Sequence, residues 1–334
     1  MNRNKFLIVS LICCVFFLFS CKTNRADSGL NIINGIDDTD NKYPAVLRII
    51  TETIFSEESG SSSSHSGCSA SVISHNTLLT ASHCFYDALG DLAKYKSLKD
   101  VKIEIKTSLP SGKTVKTERF YSNDSFEKYN SMVDYTKELD TKAYEYLGLA
   151  SHNDVGIVVF EDNTFSEITP LKISNQNVKE GTSVVIVGYA PRTDYKKITD
   201  NDDPDFGKFY LDDFDDSDLQ GLSIIRRYGS AVVQKNDRCV EENLSFKTHL
   251  KNASYDPKNR VDPVGVNSAV YCGDSGGPTL LSDNQNLIVG VTSYSLEDDS
   301  YTESCEVTFN PDVVNWLNKI NDTTDAVIPM DEIK

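Results

Sequence analysis

Short apolar runs recur along the chain, and they limit the folds that it can adopt. Each run is five to eight residues long, is rich in β-branched or other apolar residues, and is bounded by glycine, asparagine, aspartate or serine. Valine and isoleucine between turn-forming residues are typical of β-strands. The runs lie at residues 45–50, 69–74, 101–105, 155–160, 183–189, 230–234 and 287–294. The sequence therefore predicts an all-β fold.

One segment near the C-terminus has a helical pattern instead. In residues 311–320, Val314, Leu317 and Ile320 recur at a spacing that puts them on one face of an α-helix. We expect a C-terminal α-helix there. Polar insertions separate the predicted strands, and the serine-rich stretch 56–67 is predicted to be a mobile loop.

The N-terminus has the pattern of an export signal. Arg3 and Lys5 precede the apolar run Phe6–Phe19, which is too short to span a membrane comfortably. We therefore interpret residues 1–20 as a signal peptide. The mature protein is expected outside the cytoplasm, where disulfides form.

The end of this signal is similar to a bacterial lipoprotein processing box, since Leu18 precedes Cys21 by three residues. Two outcomes stay open. Lipidation of Cys21 would tether the protein to the cell envelope, whereas ordinary cleavage nearby would give a freely secreted protein. In both cases residues 21–31 form a tether or propeptide.

The formal net charge of −17 limits the expected partners. Nucleic acids and anionic membrane surfaces attract clustered Lys and Arg, so neither is an expected partner. The acidic stretch 200–207 lacks the Asp-x-Asp-x-Asp-Gly spacing of a calcium loop with a terminal glutamate. We expect a solvated acidic loop there, no metal, no cofactor and a monomeric protein.

The cysteines leave an odd number in the mature chain. Of the eight, two leave with the signal and Cys21 is the candidate for lipidation. The remaining five are Cys68, Cys84, Cys239, Cys272 and Cys305. At least one thiol is therefore predicted to lack a partner within the chain.

Residues 273–278, Gly-Asp-Ser-Gly-Gly-Pro, surround one serine with glycines. Nucleophilic acyl transfer needs a hydroxyl, a base, a carboxylate that orients the base, and donors for the oxyanion. Ser275 offers the hydroxyl. Because Gly273 has no Cβ, its N–H can turn inward, and the N–H of Ser275 is a second donor. We predict that Ser275 is the nucleophile and that Gly273 and Ser275 form the oxyanion hole.

A base and a carboxylate have matching surroundings. His83 follows an apolar strand and adjoins a cysteine, and Asp154 directly precedes another apolar strand. The other four histidines, at 65, 75, 152 and 249, lie in polar or turn-like surroundings. The predicted catalytic residues are therefore His83, Asp154 and Ser275, in that chain order.

Together these segments resemble the chymotrypsin-like (trypsin family) serine proteases. Residues 67–84 resemble the family's histidine segment, 153–160 its aspartate segment and 273–278 its serine segment. Residues 32–35 resemble the mature N-terminus, and residues 290–294 resemble the strand that lines the substrate cleft. The resemblance covers residues 32–320 as the protease domain and leaves 321–334 as a C-terminal tail.

The resemblance implies two six-stranded Greek-key β-barrels, with the active site in the cleft between them. His83 and Asp154 would come from the first barrel and Ser275 from the second. Ser275 would attack the scissile carbonyl, and His83 would accept its proton and pass it to the leaving amine. Asp154 would fix the imidazole tautomer.

The resemblance also implies where substrate binds. Ser293 would hydrogen-bond Asp154 and, with Tyr294 and Ser295, present backbone to the substrate. Ala269 or Val270 would occupy the pocket floor, where trypsin-like specificity for Arg or Lys needs an aspartate. Because neither residue is charged, we expect the pocket to accept uncharged side chains.

Two disulfides follow from the resemblance. Cys68 and Cys84 are sixteen residues apart, the spacing at which the family closes its histidine loop. A second bridge, Cys272–Cys305, is expected, although Cys272 directly precedes the Gly-Asp-Ser segment where most relatives have one residue between. Cys239 then stays free, pairs outside the chain, or competes for Cys272.

The family's zymogen activation implies a cleavage before Ile32. The new terminal ammonium would insert into the protein and pair with Asp274, completing the oxyanion hole. Asn31 departs from the basic residue after which activating proteases commonly cut.

The sequence thus predicts an exported serine endopeptidase acting on protein or peptide substrates. Two alternatives stay open: a catalytically weak or inactive binding protein on a protease fold, and a hydrolase for esters or one dedicated partner.

Overall fold

The computed structural model describes most of the predicted protease domain. The described residues are 35–57, 60–85, 102–133, 142, 146, 149–174, 178–189, 195–197, 209–211, 225–235, 239, 244–248, 268, 270, 273–297 and 302–331. Several predictions concern positions outside them: the signal peptide and tether, Cys21, Ile32, the acidic stretch 200–207, Ala269 and Cys272. Among the described residues, no helix is both long and apolar enough to cross a membrane.

Among the described residues, the first sheet has seven antiparallel strands: β2 (Val46–Glu57), β3 (Gly60–Val72), β4 (Thr77–Thr80), β5 (Lys102–Ser108), β6 (Thr114–Thr117), β7 (Phe120–Ser122) and β8 (Gly156–Val159). Their order across the sheet is β6-β5-β2-β3-β4-β8-β7. A short α-helix, α1 (Asp124–Asn130), follows β7. A 3₁₀ turn, Ser82–Phe85, follows β4.

The serine-rich stretch 56–67 is not a separate loop, and that prediction is wrong. Residues 60–67 form the first half of β3, which pairs with β2 from Glu57↔Gly60 to Val46↔Ser71. The β-propensity of serine is unremarkable, so the pairing comes from backbone hydrogen bonds along an existing strand.

The second sheet has nine strands. Its main path is β1 (Ile36–Asp37), β13 (Arg227–Val232), β10 (Ser183–Gly188), β15 (Pro278–Leu281), β16 (Leu287–Glu297), β17 (Thr302–Val307) and β14 (Leu244–Thr248). Two short strands, β9 (Lys172–Ser174) and β18 (Met330–Asp331), add to it in parallel, β9 beside β16 and β18 beside β9. A separate pair joins β11 (Tyr195–Lys197) and β12 (Phe209–Leu211).

The predicted all-β class with two sheets and a C-terminal helix is confirmed. The described sheets have seven and nine strands, against six in each expected barrel. The second sheet gains strands of only two or three residues: β1 at one end of the path, β9 beside β16, and β18 beside β9.

One apolar core joins the two sheets. It includes Leu78 and Val158 from the first sheet, and Leu280 and Val291 from the second. A smaller cluster of Val184, Ile186, Ala231, Val233, Val270 and Val289 lies within the second sheet. The two halves are thus held against each other by burial of aliphatic side chains.

The C-terminal helix, α2 (Pro311–Thr323), begins where the sequence predicts and runs three residues further. Oδ1 of Asn310 accepts hydrogen bonds from the backbone N–H groups of Asp312 and Val313, both at 3.0 Å, which caps the helix. The buried face consists of Val313, Trp316, Leu317 and Ile320, while Val314 is half-buried.

The described part of the expected C-terminal tail 321–334, residues 321–331, packs into the fold. Ala326 and Ile328 are buried, and Met330 pairs with Ile173. Nδ2 of Asn76 donates a 2.8 Å hydrogen bond to the carbonyl of Asp325, so the segment is attached to the first sheet as well.

Candidate active site

His83 and Asp154 lie at the same edge of the first sheet. In the antiparallel pair of β4 and β8, Thr80 lies opposite Gly156. His83 comes three residues after Thr80 and Asp154 two residues before Gly156, so both lie just beyond the same end of this pair. Nδ1 of His83 lies 2.6 Å from Oδ2 of Asp154, and the His83 backbone N–H donates to Oδ1 at 2.9 Å. The carboxylate is only 2% exposed. A carboxylate at Nδ1 favours the proton there and leaves Nε2 as the basic nitrogen.

The turn that carries His83 is fixed on both sides. Oγ of Ser82 donates a 2.6 Å hydrogen bond to the carbonyl of Val155 and accepts a 3.0 Å bond from the N–H of Asn123. Phe85 is fully buried and its ring lies 4.8 Å from that of Phe120. Because these contacts hold the turn, the imidazole is directed at Asp154 by the fold as well as by its own hydrogen bond.

Ser293 completes this cluster from the second sheet. Its Oγ donates a 2.6 Å hydrogen bond to Oδ2 of Asp154. The pairing between β16 and β17 shifts register between Thr292 and Tyr294, which leaves Ser293 in a β-bulge. Bulges re-aim a side chain, and here the re-aimed side chain is the one that contacts Asp154.

Ser275 lies in a tight turn whose shape depends on glycine. Gly273 has φ +94° and Gly276 has φ +77°, in the left-handed region that favours glycine. The N–H of Gly277 donates a 2.8 Å hydrogen bond to the carbonyl of Asp274 and closes the turn. Ser275 itself is half-buried.

This turn packs against the residues that precede His83. A Cβ on Gly276 would lie 2.0 Å from Oγ1 of Thr80 and 2.9 Å from the N of Ala81, so no larger residue fits. The carbonyl of Ser275 accepts a 2.8 Å hydrogen bond from the N–H of Ser69. The structure therefore brings the serine, histidine and aspartate segments to one junction between the two sheets.

The predicted cleft residues line the second sheet beside this junction. Val270 is buried and its N–H donates a 2.8 Å hydrogen bond to Oγ of Ser304 on β17. Tyr294 and Ser295 are half-buried on β16, opposite Cys305 and Ser304. Ala269 lies outside the described residues.

The first disulfide prediction is confirmed and the second is wrong. Cys68 and Cys84 are bonded. Cys305 is bonded to Cys239, not to Cys272. The Cα atoms of Cys239 and Cys305 are 5.5 Å apart, within the ordinary range for a disulfide, and a sulfur in one bridge is not available for another. Cys272 lies outside the described residues.

The one cluster of potential metal ligands in the described part of the chain is Cys68, His83 and Cys84. Both cysteines are joined in a disulfide. Neither sulfur is therefore a thiolate that could bind a metal ion.

Two residues of this region had no role in the sequence prediction. Ser69 adjoins Cys68 and contacts the serine turn, and its only sequence signal is its position beside the disulfide. Glu306 is fully buried on β17 behind the serine turn. The local sequence around Glu306, Glu-Ser-Cys-Glu-Val, does not indicate that this acid is buried.

Comparison with known proteins gives one family match. A family model described as a trypsin-like peptidase domain matches residues 68–291. No curated protein matches the chain significantly.

Comparison with solved structures finds proteases at TM-scores below 0.5. A Glu endopeptidase in complex with MPD is 14% identical, with a TM-score of 0.47, over 89% of this chain and 98% of its own. HL collagenase is 20% identical, with a TM-score of 0.47, over 89% of this chain and 100% of its own. A scabies mite inactivated protease paralogue is 14% identical, with a TM-score of 0.44, over 86% of this chain and 100% of its own. On the match to the family over residues 68–291, the chain belongs to the trypsin-like peptidase domain family of chymotrypsin-like serine proteases.

Proposed function

We propose that the protein is an exported serine endopeptidase that hydrolyses peptide bonds through His83, Asp154 and Ser275. The observation that carries the proposal is the 2.6 Å contact between Nδ1 of His83 and Oδ2 of Asp154. The same oxygen accepts the Ser293 hydroxyl at 2.6 Å. This buried carboxylate accepts hydrogen bonds from both side chains and holds the imidazole in one tautomer.

The chemistry follows from this tautomer. Nε2 of His83 takes the proton of Ser275 Oγ as that oxygen bonds to the scissile carbonyl carbon. The tetrahedral intermediate then loses the C–N bond, and Nε2 returns the proton to the leaving amine. Water repeats the sequence on the acyl-enzyme, which restores the serine hydroxyl.

The donors for the oxyanion are the backbone N–H groups of Gly273 and Ser275. Two other amides of the turn are committed elsewhere, since Gly276 donates to the carbonyl of Thr292 at 2.8 Å and Gly277 to that of Asp274. These bonds support a rigid turn. Rigid donors stabilise the developing negative charge without reorganisation.

Substrate would bind along β16, with Ser293, Tyr294 and Ser295 beside the extended peptide. The pocket floor at Ala269 or Val270 is proposed to accept uncharged side chains. Val270 supports this, because it is buried within the apolar cluster of the second sheet. A cation beside it would lack a partner there and be costly to bury.

Activation is proposed to occur by cleavage before Ile32, after which the new ammonium pairs with Asp274. Asp274 is 1% exposed, as an internal ion pair requires. The chain just after the cleavage point is anchored by Arg226, whose Nε donates a 2.7 Å hydrogen bond to Oδ2 of Asp38. Arg226 also donates to the carbonyl of Val46 at 3.0 Å. Because the chain is held at Asp38, only the short segment between the cleavage point and Asp38 has to move on activation.

Export is proposed from the signal pattern, with Cys21 as the candidate membrane tether. Two disulfides support an oxidising compartment. The proposed enzyme acts as a monomer on peptide or protein substrates and does not bind nucleic acid.

A fluorophosphonate probe tests the function directly, because it reacts only with an activated serine. We expect labelling of the processed protein and its loss in Ser275→Ala. Ser282→Ala, at a half-buried serine that directly follows β15, is the matched control and should keep full labelling. Correctly processed, folded protein that is never labelled would favour a binding protein instead.

A further inference from the structure

Glu306 is a buried acid that the proposed reaction does not use. It lies on β17 between two strands, opposite Thr292 of β16 and Leu244 of β14. Its side chain is 0% exposed. Oγ1 of Thr279 donates a 3.1 Å hydrogen bond to Oε2.

The surroundings of Glu306 favour its neutral form. Burial raises the pKa of the carboxyl, hydrogen bonds from Thr292 and Thr279 lower it, and the charge of Asp274 raises it, to a net pKa of about 8. Among the described residues, Asp274 is the one charged group that acts on this carboxyl. No described cation compensates a negative charge at Glu306, so ionisation is costly.

Glu306 contacts both residues that fix the turn of Ser275. Thr279 is the second residue of β15, which begins at Pro278, where the chain leaves the turn. Thr292 holds the turn from the other side: its carbonyl accepts the N–H of Gly276 at 2.8 Å and its N–H donates to the carbonyl of Gly277 at 2.9 Å. The third neighbour, Asp274, lies inside the turn, between the two proposed oxyanion donors.

We propose that Glu306 is a positioning residue for the Ser275 turn, which it supports while protonated and disturbs when ionised. When Glu306 is ionised, its negative charge would repel that of Asp274. It would also draw the hydroxyl groups of Thr279 and Thr292 into different hydrogen bonds. Both changes act on the backbone that aims the N–H groups of Gly273 and Ser275. The inference rests on the proposed serine-protease function.

The first test is the pH dependence of catalysis in the processed enzyme. We expect kcat and the rate of fluorophosphonate labelling to fall above about pH 8, approaching tenfold per pH unit, because only the protonated enzyme is competent. The Ile32 ammonium that is proposed to pair with Asp274 also loses its proton at alkaline pH, so both enzymes should decline there. Glu306→Gln, a neutral isostere, should remain active and decline at higher pH than the wild-type enzyme. An unchanged decline in Glu306→Gln would overturn the proposal.

The choice of substrate separates positioning from substrate binding. A positioning role changes kcat for every substrate and leaves KM nearly constant. Peptides with Leu or Lys at the cleaved position should therefore respond alike to Glu306→Gln. A loss confined to the Lys peptide, expressed in KM, would make Glu306 a substrate-binding acid and overturn the positioning role.

A second variant shifts the transition instead of removing it. Thr279→Val deletes a hydroxyl that favours the ionised carboxyl, so the alkaline decline should move to higher pH. Thr107→Val is the matched control, since its buried hydroxyl donates to the carbonyl of Arg48 in the first sheet. Lower activity at all pH values without a shift would show that Thr279 acts only on packing.

A third measurement does not need catalysis. In the Ser275→Ala background, the Glu306 proton is bound more tightly in the folded state, with a pKa of about 8, than in the unfolded state, with the ordinary 4.5. Its contribution to stability is fully present below pH 4.5 and is lost as pH rises to about 8. Thermal unfolding should show this decline of Tm, and Glu306→Gln should reduce it.

The outcomes separate the two proposals. If Ser275→Ala protein with and without Glu306→Gln shows the same dependence of Tm on pH, Glu306 does not bind a proton more tightly in the folded state. That result would overturn the inference. A Tm difference together with absent labelling of processed wild-type protein would overturn the serine-protease function and, with it, the positioning role. The buried proton itself would stand.

Discussion

Oγ of Ser69 donates a 2.9 Å hydrogen bond to the carbonyl of Gly273, across 204 positions of sequence. Ser69 lies on β3 of the first sheet and is fully buried. Its backbone N–H donates to the carbonyl of Ser275, and its Oγ also accepts the N–H of Tyr189 at 2.9 Å. One serine beside the Cys68–Cys84 bridge thus connects the histidine side of the junction to the serine turn.

Ser69→Ala should weaken both stability and catalysis. Loss of the hydroxyl leaves the Gly273 carbonyl and the Tyr189 amide without this partner, at a cost of about 1–3 kcal/mol. Because the N–H of Gly273 is a proposed oxyanion donor and Ser69 holds the carbonyl of the same residue, we expect kcat to fall about tenfold or more. Ser71→Ala is the matched control: it lies two residues along the same strand, and its buried Oγ has no hydrogen-bond partner among the described residues. Equal kcat in the two variants would contradict the role of Ser69.

Ser275→Ala and His83→Ala should each lower peptidase turnover by about a millionfold, because the members of such a triad act as a unit. The double variant should be no slower than either single variant. Steady-state assays on purified, processed protein measure this. Turnover of Ser275→Ala at the wild-type rate would remove Ser275 from the mechanism.

Opening the Cys239–Cys305 bridge should destabilise the second sheet. The bridge spans 66 residues and packs beside Tyr294 on β16. We expect Cys239→Ser to lower the free energy of unfolding by about 2–4 kcal/mol, measured by chemical denaturation. Peptide mapping of non-reduced protein should find Cys239 joined to Cys305, also after Cys272→Ser. A bridge between Cys272 and Cys305 would contradict the pairing.

The N-terminus should control activity. Protein that begins at Ile32 is expected to be active, and protein that keeps an intact Lys22 terminus is expected to be at least a hundredfold slower, the typical cost of losing an oxyanion donor. Asp274→Asn should abolish the difference by removing the partner of the ammonium. Equal activity from both termini would rule out this switch.

Cleavage specificity should favour uncharged side chains at the cleaved position. A peptide library should give poor cleavage after Arg and Lys, because neither Ala269 nor Val270 offers a carboxylate to a buried cation. Strong preference for Arg or Lys would mean that an acid from another segment reaches the pocket.

Local sequence determined much of this protein. Val- and Ile-rich runs produced strands, and the spacing of Leu317 and Ile320 produced the C-terminal helix. The Cys68–Cys84 bridge was predicted from the family resemblance of the segment that contains both cysteines. The same segments identified His83, Asp154 and Ser275, whose joint catalytic role stays a prediction. These features depend on residues within one element or one short motif, where side-chain periodicity and turn chemistry act directly.

Contacts between distant segments were decided by the tertiary structure. The sequence could not select Cys239 over Cys272 for Cys305, because that choice depends on which Cα atoms the second sheet brings within 5.5 Å. Nor could it show that residues 60–67 form a strand, since their order comes from pairing with β2. Ser69 and Glu306 owe their environments to packing between strands far apart in the chain, and burial and hydrogen-bond partners of that kind exist only once the sheets have closed on each other.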